Sequence, residues 1–78
     1  MERIDIRIRV GLRIKQLRSH AGVTQDELAY SIGLSRSYLA EVETGKRNIS
    51  IVNLERIVDG LDITIADFFD GDYFLSNS

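Results

Sequence analysis

The 78-residue chain has no cysteine, no proline and a single histidine, His20. Without cysteine there are no disulfides, no thiolate-held zinc, no iron–sulfur cluster and no thiol nucleophile. Secreted domains of this size are commonly disulfide-rich, so the expected setting is a reducing cytoplasm. One histidine leaves little for metal or acid–base chemistry, and His20 suits a surface position at a helix C-terminus. No apolar run approaches the length of about 18 residues that a membrane helix needs. The opening Met1-Glu2-Arg3-Ile4-Asp5 has an early acid where a signal peptide would be apolar. No Walker loop, dinucleotide fingerprint or catalytic triad is present. The acids at 55, 59, 62, 67, 70 and 72 lack the alternation of a calcium loop and read as a solvated far face. No metal, cofactor or enzymatic activity is therefore expected.

What is present is ordinary globular material: 44% hydrophobic and 28% charged residues. The length allows one domain, residues 1–78, burying about 60–65% of its unfolded surface. That margin is thin, and a partner subunit would widen it. The net charge of −2 hides a polarity. Residues 1–47 carry nine of the ten Lys/Arg and six of the twelve Asp/Glu, a net of +3, and residues 48–78 a net of −5. One half thus suits a polyanion while the other would turn away from it; a chance distribution of surface charge is the alternative.

Glycines at 11, 22, 33, 45, 60 and 71 recur every 11 to 15 residues, which suits short helices with glycine in the turns. The first segment is ambiguous. Ile4, Ile6, Ile8, Val10, Leu12 and Ile14 alternate like a strand, but Val10, Ile14, Leu17 and Ala21 follow helical spacing. A helix over roughly 8–20 is the reading adopted, preceded by extended chain or an extra turn. Thr24 and Glu27 form a capping box, and Val23 and Leu28 a hydrophobic staple, for a second helix to about Ser31. Gly33 ends it. Ser35 caps a third helix over 36–44, stapled by Leu34 and Leu39. Ser50 caps a fourth, carrying Ile51, Leu54, Ile57, Val58 and Leu61, and Thr64 a short fifth, Ile65–Phe69. The expected fold is all-α, a compact bundle of five helices.

The second and third helices, joined by about four residues around Gly33, form a helix-turn-helix over about 24–44. A small residue, Ala29, stands where the helices would touch, and Leu28, Ile32, Leu34, Leu39 and Val42 anchor the pair. Val23-Thr24-Gln25-Asp26-Glu27-Leu28-Ala29, Ile32-Gly33-Leu34-Ser35, Tyr38-Leu39 and Glu43-Thr44-Gly45 resemble the DNA-binding domains of the lambda repressor and Cro type over about residues 8–69. With the small size, Gly45-Lys46-Arg47-Asn48-Ile49-Ser50 is similar to the controller proteins of restriction–modification systems. That resemblance implies a homodimer that binds a palindromic double-stranded operator and regulates its own gene and that of the endonuclease, with RNA polymerase a candidate further partner. A phage-type repressor, an antitoxin-like autoregulator, and an interaction module without DNA binding remain as alternatives.

Arg36 and Ser37 open the third helix, where side chains of a docked helix meet base edges. Arg36 suits a bidentate contact to guanine, Ser37 several bases, and Arg47 a further base edge. Thr24, Gln25, Tyr38, Lys46 and Asn48 are expected at the sugar–phosphate backbone, Gln25 with the amides of its helix N-terminus. The alternative for each is a solvated surface residue, with Tyr38 partly buried over the turn. Glu43 is read as an intramolecular partner for Arg13 or Arg18; Glu41 has no assigned role. Phe68, Phe69, Tyr73 and Phe74 crowd four of the six aromatics into seven positions. A dimerisation region over about 50–75 would cover the surplus, with Ile51, Leu54, Ile65, Phe68 and Phe69 at the interface.

Overall fold

Asp5 starts the first helix in the computed structural model, which describes residues 4–75. The ends of the expected 1–78 domain, residues 1–3 and 76–78, lie outside the described residues. The Asp5 carboxylate accepts from the Arg7 amide at 2.8 Å and is gripped by the Arg7 guanidinium, also at 2.8 Å. This cap carries α1 (Ile6–Ala21) back two residues beyond the expected start. The Ile4–Ile8 alternation therefore lies on a helix entry, with Ile6 and Ile8 exposed, rather than on a strand.

The remaining elements begin at the expected caps, because each cap is a local bond between a hydroxyl and the amide three residues on. They are α2 (Gln25–Ile32), α3 (Arg36–Glu43), α4 (Ile51–Gly60) and α5 (Ile65–Phe69), followed by a 3-10 turn at Asp72–Phe74. At α2 the capping box is complete: Glu27 N donates to Thr24 Oγ1 at 3.1 Å, and Thr24 N to Glu27 Oε1 at 2.9 Å. Gly33 then turns the chain with φ +73°, a left-handed conformation that side-chain-bearing residues adopt at a cost. No strand occurs among the described residues.

Two glycines depart from the turn reading. Gly60 closes α4, and the positive φ of the following turn falls on Asp62, at +60°. Gly11 lies inside α1, where α1 crosses the end of α3. A Cβ there would sit 2.5 Å from the carbonyl oxygens of both Val42 and Glu43. Glycine is required at that point because two backbones meet, with no room for a methyl group.

The core runs through every α-helix: Val10 and Ile14 from α1, Leu28 and Ala29 from α2, Leu39 and Val42 from α3, Leu54, Ile57 and Val58 from α4, and Phe68 from α5. Leu61 completes it, and Val23 and Leu34 close over its edge, as staples should. α1 lies against α3 and the 3-10 turn, while α2 is wedged between α3 and α4.

The C-terminal segment is tied to α1 by arginines. Arg13 Nε donates to the Phe68 carbonyl at 2.8 Å and its Nη2 to the Asp67 carbonyl at 2.7 Å. Both carbonyls belong to the last turn of α5, where a guanidinium is suited to the helix C-terminus; that of Asp67 also accepts from the Asp70 amide at 3.2 Å. Arg9 reaches the Tyr73 carbonyl. Phe68, Phe69 and Phe74 form an aromatic cluster, with centroids 4.9 to 5.9 Å apart. Three of the four C-terminal aromatics thus find at least partial cover inside the protomer: Phe68 fully, Tyr73 and Phe74 in part.

Candidate nucleic-acid interface

Glu43 fixes the orientation of α3 against α1 and α2. Its carboxylate is almost wholly enclosed. Arg18 donates to it twice, Nε to Oε2 at 2.8 Å and Nη2 to Oε1 at 2.9 Å, and Gln25 Nε2 donates to Oε1 at 3.0 Å. The carboxylate raises the Arg18 pKa above its already high ordinary value, chiefly through these hydrogen bonds. Arg18 also caps the loop, giving Nη1 to the Val23 carbonyl at 2.9 Å. One acid thus joins the C-terminus of α3 to the last turn of α1 and the start of α2. Of the two arginines expected as its partner, Arg18 fills the role, and Arg13 is committed to α5.

The exposed side of α3 begins with Arg36 and Ser37, both in solvent. Arg36 Nε lies 3.0 Å from Asp26 Oδ1 at the start of α2. One turn beyond Ser37 stands Glu41, which accepts from Arg47 Nε at 2.7 Å. The Arg47 guanidinium also lies 5.2 Å from the centre of the Tyr38 ring, a cation–π distance. Glu41 raises the Arg47 pKa further above its ordinary value. Tyr38 is half-buried, and its Oη accepts from Asn53 Nδ2 at 3.1 Å, so α4 holds the ring in place. Lys46 and Asn48 are exposed in the loop that follows. These contacts connect the start of α2, the exposed side of α3 and the loop after it into one surface.

Two expectations need adjustment. The Gln25 side-chain amide is partly committed within the protomer, since its Nε2 donates to Glu43 Oε1. The start of α2 also offers the backbone amides of Gln25 and Asp26, which the capping box leaves unpaired, and the Thr24 hydroxyl proton. The basic half is also less available than its charge suggests. Arg9, Arg13 and Arg18 are all spent on internal carbonyls or on Glu43. Two ion pairs of this surface, Asp26 with Arg36 and Glu41 with Arg47, escaped the sequence reading. Their spacings, ten residues across a turn and six across a helix end, carry no local signal.

The expected dimer surface divides in two. Ile51, Ile65 and Phe69 are exposed, Ile51 at 84%. Leu54 and Phe68 are not: they are 8% and 0% exposed, filling the protomer's own core, so they lie beneath such a surface and not in it. Val52, 68% exposed beside Ile51, belongs with the exposed set and was missed. In a helix as short as α5, periodicity does not distinguish Phe68 from its neighbour.

An amphipathic five-helix domain with a glycine-turned helix pair and polar side chains at the start of the second member is a helix-turn-helix DNA-binding domain. The helix-turn-helix family profile matches residues 14–68, and the chain belongs to that family. Its relatives include restriction–modification controller proteins. It is 46% identical over 66 residues to the control protein C.MunI of a Mycoplasma species, covering 83% of this chain and 89% of the relative. The crystal structure of the controller protein C.AhdI from Aeromonas hydrophila superposes with a TM-score of 0.79 at 39% identity, covering 82% of this chain and 97% of that one. The C.Esp1396I controller, as a tetramer in complex with its natural 35 base-pair operator, superposes with a TM-score of 0.81 at 36% identity, covering 86% and 88%. Among the described residues no helix is long and apolar enough to cross a membrane.

Proposed function

We propose that the protein is a homodimeric, sequence-specific transcriptional regulator of a restriction–modification operon, acting on its own gene and the endonuclease gene in the cytoplasm, without enzymatic activity. The observation that carries this reading is the clamped α3. Glu43 locks its orientation, Arg36 and Ser37 stand exposed at its first turn, and the chain around them is 46% identical to a controller protein over 66 residues.

The mechanism is docking. With α3 in the major groove, the Arg36 fork meets the two acceptors of a guanine, Ser37 bonds an adjacent base, and Arg47 reaches a third position. The Thr24 hydroxyl, the first amides of α2, Tyr38, Lys46 and Asn48 bear on phosphates, setting register without reading sequence. Ile51, Val52, Ile65 and Phe69 pair the protomers about a two-fold axis, so the operator is an imperfect palindrome with half-sites about 10 base pairs apart. RNA polymerase is the partner through which occupancy would change transcription.

Binding to a palindromic duplex at graded salt tests the reading. Each phosphate neutralised contributes a log–log slope of about −0.9, so a dimer should show several units. Inserting about five base pairs at the centre moves the half-sites to opposite faces of the duplex. Affinity should then fall to that of a half-site. A flat salt response refutes DNA binding, and indifference to the insertion refutes two-fold docking.

A further inference from the structure

Glu41 is a carboxylate in an unfavourable place. It shares the exposed side of α3 with Ser37 and Thr44, the side that the proposed docking turns into a groove walled by phosphates. Left alone there, it would oppose binding to any duplex. It is not left alone. It accepts from Arg47 Nε at 2.7 Å, while the Tyr38 ring, steadied by Asn53, packs 5.2 Å from the same guanidinium. Only Nε is used. Among the described residues the two Nη groups of Arg47 make no hydrogen bond, and they are the ends that a guanine edge takes in a bidentate contact.

The consequence differs between the two kinds of DNA site. At a guanine, Arg47 can bond the base through its Nη fork while Nε stays on Glu41, so the ion pair survives. Phosphates lie on the groove walls and not on its floor, so turning the same fork to a phosphate would draw Arg47 off Glu41 and leave the carboxylate facing the negative backbone. Both side chains are about half exposed, at 53% and 47%, so the pair is weak enough to exchange. We propose that Glu41 is a specificity-determining positioning residue, holding Arg47 for a base edge and withholding it from phosphates. The inference rests on the DNA-binding reading above and adds a residue whose charge would otherwise count against it.

The test is Glu41→Ala, with affinities measured for two duplexes of equal length: one selected from a random pool by the unmodified protein, and the unselected random pool. Affinity for the random pool should rise roughly 2- to 30-fold per dimer, the range of two exposed pairs released. Its log–log salt slope should steepen by up to about 0.9 per subunit as Arg47 joins the phosphate contacts. Affinity for the selected duplex should stay level or fall, and preference at one base pair per half-site should relax. Glu41→Gln, which removes the charge and keeps the shape, should change the random-pool affinity in the same direction. In an Arg47→Ala background both substitutions should leave the salt slope as it is. A ratio of selected to random affinity that is unchanged or larger overturns the inference, as does a fall in that ratio that persists without Arg47. Absence of salt-dependent binding by the unmodified protein is a different result, and overturns the DNA-binding reading itself.

Discussion

Removing the Glu43 carboxylate is the most direct test of how the recognition helix is held. Glu43 is 2% and Arg18 14% exposed in their side chains, and three hydrogen bonds converge on the acid. Glu43→Ala strips Arg18 of its charge partner and leaves the guanidinium with the Val23 carbonyl alone. Breaking a buried pair from one side costs about 3–5 kcal/mol, because the remaining charge stays desolvated. A domain of this size has roughly 4–12 kcal/mol in total. With a urea dependence of about 1 kcal/mol/M, the unfolding midpoint should drop by about 3 M or more. Equilibrium unfolding followed by circular dichroism measures this, at fixed protein concentration because a dimer's stability depends on it. Arg18→Met alone should be costly for the complementary reason. In Glu43→Ala/Arg18→Met no charge is stranded, and most of the loss should return. If Glu43→Ala costs under about 1 kcal/mol, or the two costs simply add in the double variant, the clamp does not exist as described.

Gly11→Ala should destabilise by about 1–3 kcal/mol through collision with the α3 carbonyls, despite the better helix propensity of alanine; a raised melting temperature would contradict the backbone contact. Ile51→Ser with Phe69→Ser should give folded monomers in sedimentation, whereas Phe68→Ala should cost about 3–5 kcal/mol of fold stability and be read by thermal melting. Dimers surviving the first pair would place the interface elsewhere. Asp5 supplies a pH signature. Its hydrogen bond to the Arg7 side chain, then that to the Arg7 amide, lowers its carboxyl from 3.8 to about 2. A lowered folded value means that the cap is fully stabilising above 3.8 and is lost as pH falls through about 2. Amide exchange in the first turn of α1 should therefore accelerate across that window, and Asp5→Ala should abolish the change.

Where a feature is local, it was legible. Thr24, Ser35, Ser50 and Thr64 each bond an amide three residues away, so the starts of four helices could be read from the chain. Ala29 and Gly33 were likewise legible, because the turn between two crossing helices dictates them. The start of α1 was harder: its apolar residues satisfy two periods at once, and the cap that decides between them, Asp5, stands inside the alternating run. The choice between Arg13 and Arg18 for Glu43 depends on how α1 crosses α3, and that crossing is set by the absent side chain of Gly11. Asn53 behind Tyr38 and Glu41 beneath Arg47 are tertiary contacts between polar residues, which have no periodicity to betray them. The charge polarity misled in part, since composition counts an arginine identically whether it faces solvent or a buried carbonyl.

The bonds from Arg13 to Asp67 and Phe68 have a bearing on how the protein is made. They span more than fifty residues, from α1 to α5, so α1 leaves the ribosome well before the residues it bonds. Closing so long a loop is unfavourable until the contacts at both ends can form together. A nascent chain that already contains α2 and α3 still lacks Phe68, the largest side chain of its core. Folding and the apolar surface around Ile65 and Phe69 therefore arrive in the same event. A prematurely terminated product would be an unfolded substrate for proteolysis and not a lone reading head competing for the operator.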